Sequence, residues 1–178
     1  MRRCTLTDGY LEYVPEVNRS CSGGVNVAGT ETELFTVGVF QDVDWAEKGL
    51  AALREQGFSP EELSVIAKDS PEAAALAERT FGVAVGTMEM RSLGAVRASG
   101  PILAALQGAD QGLTSRGLAT LADRIGFQAH DGRIFETLTD RGGVLVAITS
   151  DARAADALAI MHSYGGGNAA IGAWAGRL

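Results

Sequence analysis

The stretch ELFTVGVFQDVDWAEKGLAALREQGFSPEELSVIAKD, Glu33 to Asp69, decides the fold. Leu34 to Phe40 (LFTVGVF) is rich in β-branched and aromatic residues and is bounded by polar ones, as expected of a largely buried strand. Asp42 or Asp44 is placed to cap a following helix, since a short carboxylate accepts the unpaired N–H groups of a first turn. Val43, Ala46, Leu50 and Leu53 then recur at i, i+3, i+7 and i+10, while Glu47, Lys48, Arg54 and Glu55 fall mostly on the other side. Gly57 stands where a helix ends on a residue of positive φ, and Phe58 can pack back on the helix. After the turn Ser59-Pro60-Glu61-Glu62, Leu63 to Ala67 (LSVIA) supplies a second strand. Strand, helix and strand make a βαβ crossover whose two strands share one sheet.

Working outward, residues 1–32 show no sustained periodicity, and Ser20 to Thr32 has the Gly/Ser/Thr composition of a linker. We expect a flexible N-terminal arm over 1–32, whose Tyr10, Tyr13 and Val14 offer a second reading as docking residues. Downstream, Asp69-Ser70-Pro71-Glu72 announces a helix with Ala73, Leu76, Ala77 and Thr80 on one face and Gly82 at its end. Val83 to Ala98 reads as short strand-like pieces around a Gly turn. Pro101 opens a short helix closed by Gly108. Thr114 or Ser115 is expected to cap a helix with Leu118, Leu121, Ala122 and Ile125 inward, ended by Gly126. His130 to Arg141 predicts another helix, with Ile134, Phe135 and Leu138 inward. Val144 to Ile148 (VLVAI) resembles a central strand. Asp151 is read as the cap of a helix burying Ala154, Leu158 and Met161, broken by Tyr164-Gly165-Gly166-Gly167-Asn168, with Ala169 to Trp174 as a last edge strand.

Strands 34–40, 63–67, 144–148 and 169–174 with helices 43–56 and 152–163 follow the order βαβ-βαβ. The predicted fold is α+β, a ferredoxin-like plait with a long, mostly helical insertion between its halves. The domain reading is the arm 1–32 and a single α+β domain, 33–178, interrupted by the insertion 70–142.

Composition sets the bounds. A chain of 178 residues suits one domain with a proper core. Its formal net charge of −7, with no Lys/Arg cluster, disfavours the phosphate neutralisation required by nucleic acid and equally disfavours anionic membrane surfaces. Cys4 and Cys21, the only cysteines, lie in the arm and are weak grounds for a secreted framework. No apolar h-region follows Met-Arg-Arg, and no window reaches the length of a membrane span, so a soluble cytoplasmic protein is expected.

Two segments resemble the bacterial general stress protein family, also called heat-induced stress proteins. These are Val37 to Asp69 and Gly126 to Gly166, the second carrying Asp131, Arg133, Phe135, Glu136 and Arg141-Gly142-Gly143. The middle, Val83 to Arg124, departs from that family's apolar Ala/Gly-rich pattern through Glu89, Arg91, Arg97, Asp110 and Arg116. The resemblance implies a stress-associated, non-enzymatic cytoplasmic protein.

Chemistry-bearing patterns are sparse. His130 and His162 are the only histidines; with Asp131 and Glu136 they would make a metal site only if they met in space, and their spacing matches no metal motif, so no metal or other cofactor is expected. No G-x-S-x-G elbow occurs, and the pair His162-Ser163 is poorly placed for a dyad, so no catalytic residues are assigned and no enzyme is expected. The loop Tyr164 to Gly172 allows N–H groups to converge on an anion, but it follows a helix and fits a C-cap and turn better. Arg91, Arg97, Arg116 and Arg124 read as a solvated face, and Trp45 and Trp174 as packing or subunit contacts.

The leading reading is a non-catalytic structural or interaction module that self-assembles through its sheet and insertion. A plait presents edge strands and an open face, commonly covered by a second chain, so a homo-oligomer is expected; the identity of any further protein partner stays open. The alternative is a small-molecule sensor, its ligand held between Arg97 of the insertion and Gly165, Gly166, Gly167 and Asn168.

Overall fold

A computed structural model describes residues 34–149 and 152–172, with Asn168 and Ile171 described by backbone alone. The arm 1–32, both cysteines, the Asp151 cap and Trp174 lie outside the described residues. The chain is α+β. Six strands, β1 (Phe35–Phe40), β2 (Leu63–Lys68), β3 (Thr87–Met90), β4 (Gly94–Ser99), β5 (Val144–Thr149) and β6 (Gly166–Ile171), form one sheet of order β3-β4-β2-β5-β1-β6. Every neighbouring pair is antiparallel. Since β1 and β2 both run antiparallel to β5, which lies between them, they are parallel to each other and need the crossover helix that joins them.

That helix, α1 (Val43–Glu55), forms for the reasons visible in the sequence. Asp42 accepts the Trp45 N–H at 2.9 Å, and Ala46, Leu50 and Leu53 are buried. It ends at Gly57, φ 84°, where the Phe58 N–H returns to the Leu53 carbonyl at 3.1 Å. α2 (Pro71–Phe81) starts at Ser70, whose Oγ accepts the Ala73 N–H at 3.1 Å, and buries the predicted Ala73, Leu76, Ala77 and Thr80. α6 (Ala154–Ser163) joins β5 to β6 and buries Ala157 and Met161; Ala154 and Leu158, predicted inward, are only half-buried. Along each central strand, alternate residues serve opposite layers. Phe40, Leu63, Val65, Val144, Val146 and Ile148 face α1, α2 and α6. Phe35, Val37, Val39, Ile66, Leu145 and Ala147 face the other way.

That other face is where expectation and structure part. It is not open: α3 (Ile102–Gln107), α4 (Gly112–Ser115), two 3-10 turns (Leu118–Thr120 and Ala122–Ile125) and α5 (Ala129–Asp140) cover it with a second core containing Ile102, Leu106, Leu118, Phe127 and Phe135. The insertion is not helical throughout: between its helices, β3 and β4 lengthen the sheet beyond β2. The helix expected through Leu118 to Ile125 is broken, although all four of its predicted inward residues are buried. The break falls at Gly117, φ 86°, where a Cβ would lie 2.7 Å from Ser92 Oγ. There Glu136 of α5 accepts both the Ser92 hydroxyl at 2.8 Å and the Ala119 N–H at 2.9 Å, drawing the chain out of helical pairing. The last strand begins three residues earlier than predicted, at Gly166, because pairing of Gly166 with Phe40 and Gly167 with Val39 overrides the low strand propensity of glycine. Among the described residues no helix is long and apolar enough to cross a membrane.

Candidate functional site

α5 ends in Arg141, whose N–H donates to the Thr137 carbonyl. Gly142, φ 98°, and Gly143 donate to Thr139 and Leu138 at 3.1 and 3.0 Å, so the last carbonyls of α5 are satisfied by backbone. Only glycine fits at position 143, where a Cβ would sit 2.8 Å from the Leu138 oxygen and 2.9 Å from the Phe40 oxygen. Beside this turn, β6 leaves α6 through Gly165, φ 81°, and pairs with the end of β1. Gly167 lies opposite Val39, and the β1–β6 register shifts between Val37 and Val39, as at a β-bulge.

These elements leave a cleft of about 360 Å³ between the C-terminal end of α5 and the start of β6. Val39 and Gly167 contribute to its lining from the sheet, Leu138 and Arg141 from α5, and Gln41 and Gly165 at its end. It exists because Gly167 carries no side chain: a Cβ built there would meet only the Val39 oxygen, at 3.9 Å. The volume is of the size that holds a small ligand.

The predicted site residues are distributed unevenly about this cleft. Gly165 and Gly167 line it, Gly166 is buried beneath in the strand, and Asn168 continues β6, its side chain outside the described atoms. Arg97 is not brought to them. It lies on β4, four strand positions from β6 and so about 19 Å away across the sheet. There its Nε donates to Asp69 at 2.7 Å and its Nη1 to the Val85 carbonyl at 2.8 Å. One ligand cannot bridge Arg97 and the glycines, and the shared site predicted for them is withdrawn on that ground. The arginine that shares the cleft with Gly165 and Gly167 is Arg141, which the sequence marks only as the end of a helix and part of an Arg-Gly-Gly motif.

The other candidates resolve separately. His130 on α5 and His162 on α6 are exposed on helices that cover opposite faces of the sheet, so they do not meet. Among the described residues no three His, Cys, Asp or Glu side chains converge as a metal-ligand set. Arg116 and Arg124 share Asp110, and Arg91 donates to the Ser115 carbonyl beside Arg116, whereas Arg97 pairs apart from them with Asp69, so each of the four is engaged within the fold. The hydrogen bond from Arg124, helped by the charge of Arg116, holds the Asp110 carboxyl below the usual carboxylate range, while Asp110 raises the Arg124 guanidinium. Trp45 is 42% exposed, with Lys48 Nζ 4.5 Å from its ring centre, and does not act as a core residue. A second cleft of about 370 Å³, between α1 and α6, contains Arg153, but that guanidinium lies over the Phe58 ring at 4.0 Å and donates to the Gln56 carbonyl.

Compared with protein-family models, curated proteins and solved structures, the chain matches none.

Proposed function

We propose that the chain is a non-catalytic binding module of the stress-protein type, acting in the cytoplasm, which takes up a small molecule in the cleft between α5 and β6. The single observation that carries this reading is the cleft itself. An arginine with no described partner stands there beside two glycines whose lack of side chains leaves the space open. The scaffold we infer is the ferredoxin-like plait. Its support is the strand order β2-β5-β1-β6 with α1 and α6 as the two crossovers, the order a split βαβ pair produces. Catalysis is left out of the proposal because the cleft brings together an arginine, a glutamine and backbone, with no nucleophile beside a base among its lining residues.

The test is Gly167→Val. Valine suits a strand, and its Cβ meets nothing closer than 3.9 Å, so the fold should survive while the cleft fills. Any small molecule that raises the melting temperature of the wild type should leave the variant unmoved. Equal stabilisation of both would remove the cleft from the account.

Homo-oligomerisation remains part of the proposal on a narrower basis. The covered second face no longer calls for a partner, but β3 and β6 end the sheet with one unpaired edge each among the described residues. Light scattering on the wild type and on a variant with proline at Glu89 of the exposed β3 would test that edge. A mass unchanged by the proline would leave β6 as the edge in use, and a monomeric wild type would remove the oligomer.

A further inference from the structure

Charge on α5 is divided in a way its composition does not reveal. Each of its acids is engaged: Asp131 accepts the Gln128 N–H at 3.1 Å, Glu136 clasps Ser92 and Ala119, and Asp140 pairs with Lys68 at 2.8 Å. Its cations are not. Among the described arginines only the side chains of Arg133 and Arg141 make no hydrogen bond or ion pair with another described residue; those of Arg54, Arg79, Arg91, Arg97, Arg116, Arg124 and Arg153 all do. His130, Arg133, Thr137 and Arg141 stand at i, i+3, i+7 and i+11, which places them on one stripe of the helix. Ile134 and Leu138, half-buried, run beside that stripe. In a chain of net charge −7 this is a local excess of positive charge next to apolar surface.

The apolar surface is continuous with the cleft. A shallow depression of about 220 Å³ over Ile134, Thr137 and Leu138 shares Leu138 with the cleft at Arg141. The two adjoin at Leu138 and make a groove with Arg141 at its inner end, Leu138 and Ile134 as hydrocarbon between, and His130 and Arg133 at its outer end. At 1.5 Å rise per residue, Ile134 to Arg141 spans about 10 Å. Arg141 is not needed to cap α5, because the Thr137, Leu138 and Thr139 carbonyls are already taken by backbone N–H groups.

Resting on the reading of the cleft as a ligand site, we propose that the groove binds a linear amphiphilic anion, an acyl carboxylate of medium chain length. Its carboxylate pairs with Arg141 over Gly167, and its chain lies along Leu138 and Ile134. A planar guanidinium takes a carboxylate through two parallel hydrogen bonds, which fixes the head group and directs the chain along the helix. An anion without the chain, such as acetate, forgoes the apolar contact. An uncharged alcohol of equal length leaves Arg141 without a partner.

The experiment is calorimetric titration of the full chain with decanoate below its aggregation concentration, beside acetate, decanol and inorganic phosphate. Decanoate is expected to bind once per chain, with acetate and decanol at least tenfold weaker. Arg141→Gln should lose at least tenfold in decanoate affinity, and Gly167→Val should lose binding while keeping the wild-type circular dichroism. Decanoate binding that Arg141→Gln and Gly167→Val leave unchanged would overturn the proposal. So would no decanoate binding together with phosphate binding that Gly167→Val abolishes, an outcome that leaves the cleft as a ligand site for another class. No probe binding at all would remove the acyl proposal and take the support from the cleft reading too.

Discussion

The two faces of the sheet are covered by different kinds of structure. On one, α1, α2 and α6 lie as regular helices, and α1 and α2 are begun by the side-chain caps Asp42 and Ser70 and buried through an apolar stripe. On the other, the cover is a six-residue helix, a four-residue helix, two 3-10 turns and α5, tied together by polar bonds between residues far apart in sequence. Glu136 reaches Ser92 and Ala119; Arg124 reaches the Leu106 carbonyl at 2.9 Å and Asp110; Ser64 of β2 accepts the Ile102 N–H at 3.1 Å. The first layer has long-range polar contacts too, Arg79 to Glu47, Arg54 to the Arg79 carbonyl and Arg153 to the Gln56 carbonyl, but they are exposed. The second layer's clasps at Ile102, Ala119 and Leu106 are instead buried or partly buried and sit at its helix starts and breaks. Short helices carry little stability of their own, so the second layer depends on the sheet beneath it. The candidate cleft lies where this second layer stops short of the start of β6, although it packs against Ala170 further along.

The sharpest way to break this contrast is to hollow out the clasped layer. Phe135→Ala removes a ring that is 2% exposed and meets Phe127 edge-on at 5.3 Å between centres. A loss of about 3–5 kcal/mol is expected. If the layer is integral, denaturant unfolding followed by far-ultraviolet circular dichroism and by the environment of Phe58 under the other face will give one coincident transition. Two separated transitions would make the insertion an appendage.

Next in size is the clasp itself. Glu136→Gln keeps the shape but removes the charge that accepts two hydrogen bonds, and about 2 kcal/mol should be lost. Hydrogen exchange should then speed at Ala119 and leave α1 protected; equal acceleration in both layers would deny the clasp a local role. Ser64→Ala is milder. It strands the Ile102 N–H at the start of α3 and should cost about 1–2 kcal/mol in equilibrium unfolding. A neutral result would mean that α3 starts without help from the sheet.

The smallest effect is electrostatic. Because Asp110 is held below the usual carboxylate range in the folded chain, its contribution is present above that range and is lost as the pH falls through its lowered value. Wild type should therefore melt slightly above Asp110→Asn at neutral pH, and the two should converge in strong acid. A difference that persists there would assign the effect to something other than this ion pair.

The same contrast governs how much could be read from the sequence. The stripe Ala46, Leu50, Leu53 and the Ser70-Pro71 start are local signals, and the structure keeps them. In α6 Met161 is buried as expected, but Ala157 turns inward in place of Ala154 and Leu158, because the helix's apolar residues run nearly all round and do not choose a side. The covering of the second face was not legible. It rests on Ala119, Ser92 and Glu136 meeting across a glycine break that periodicity alone reads as continuous helix. At the cleft, Gly165 and Gly167 were legible as unusual, whereas pairing them with Arg97 was an error of topology. Strand order decides which arginine faces them, and strand order is not a local property.

The most direct test of the central claim is native mass spectrometry of the untagged chain purified from its own host, set beside Gly167→Val prepared identically. The cleft reading predicts a small stoichiometric adduct on the wild type that is absent from the variant, with the subunit count the same in both. An adduct carried equally by the two, or a defined oligomer with no adduct on either, would contradict it and turn the reading back to a purely structural module.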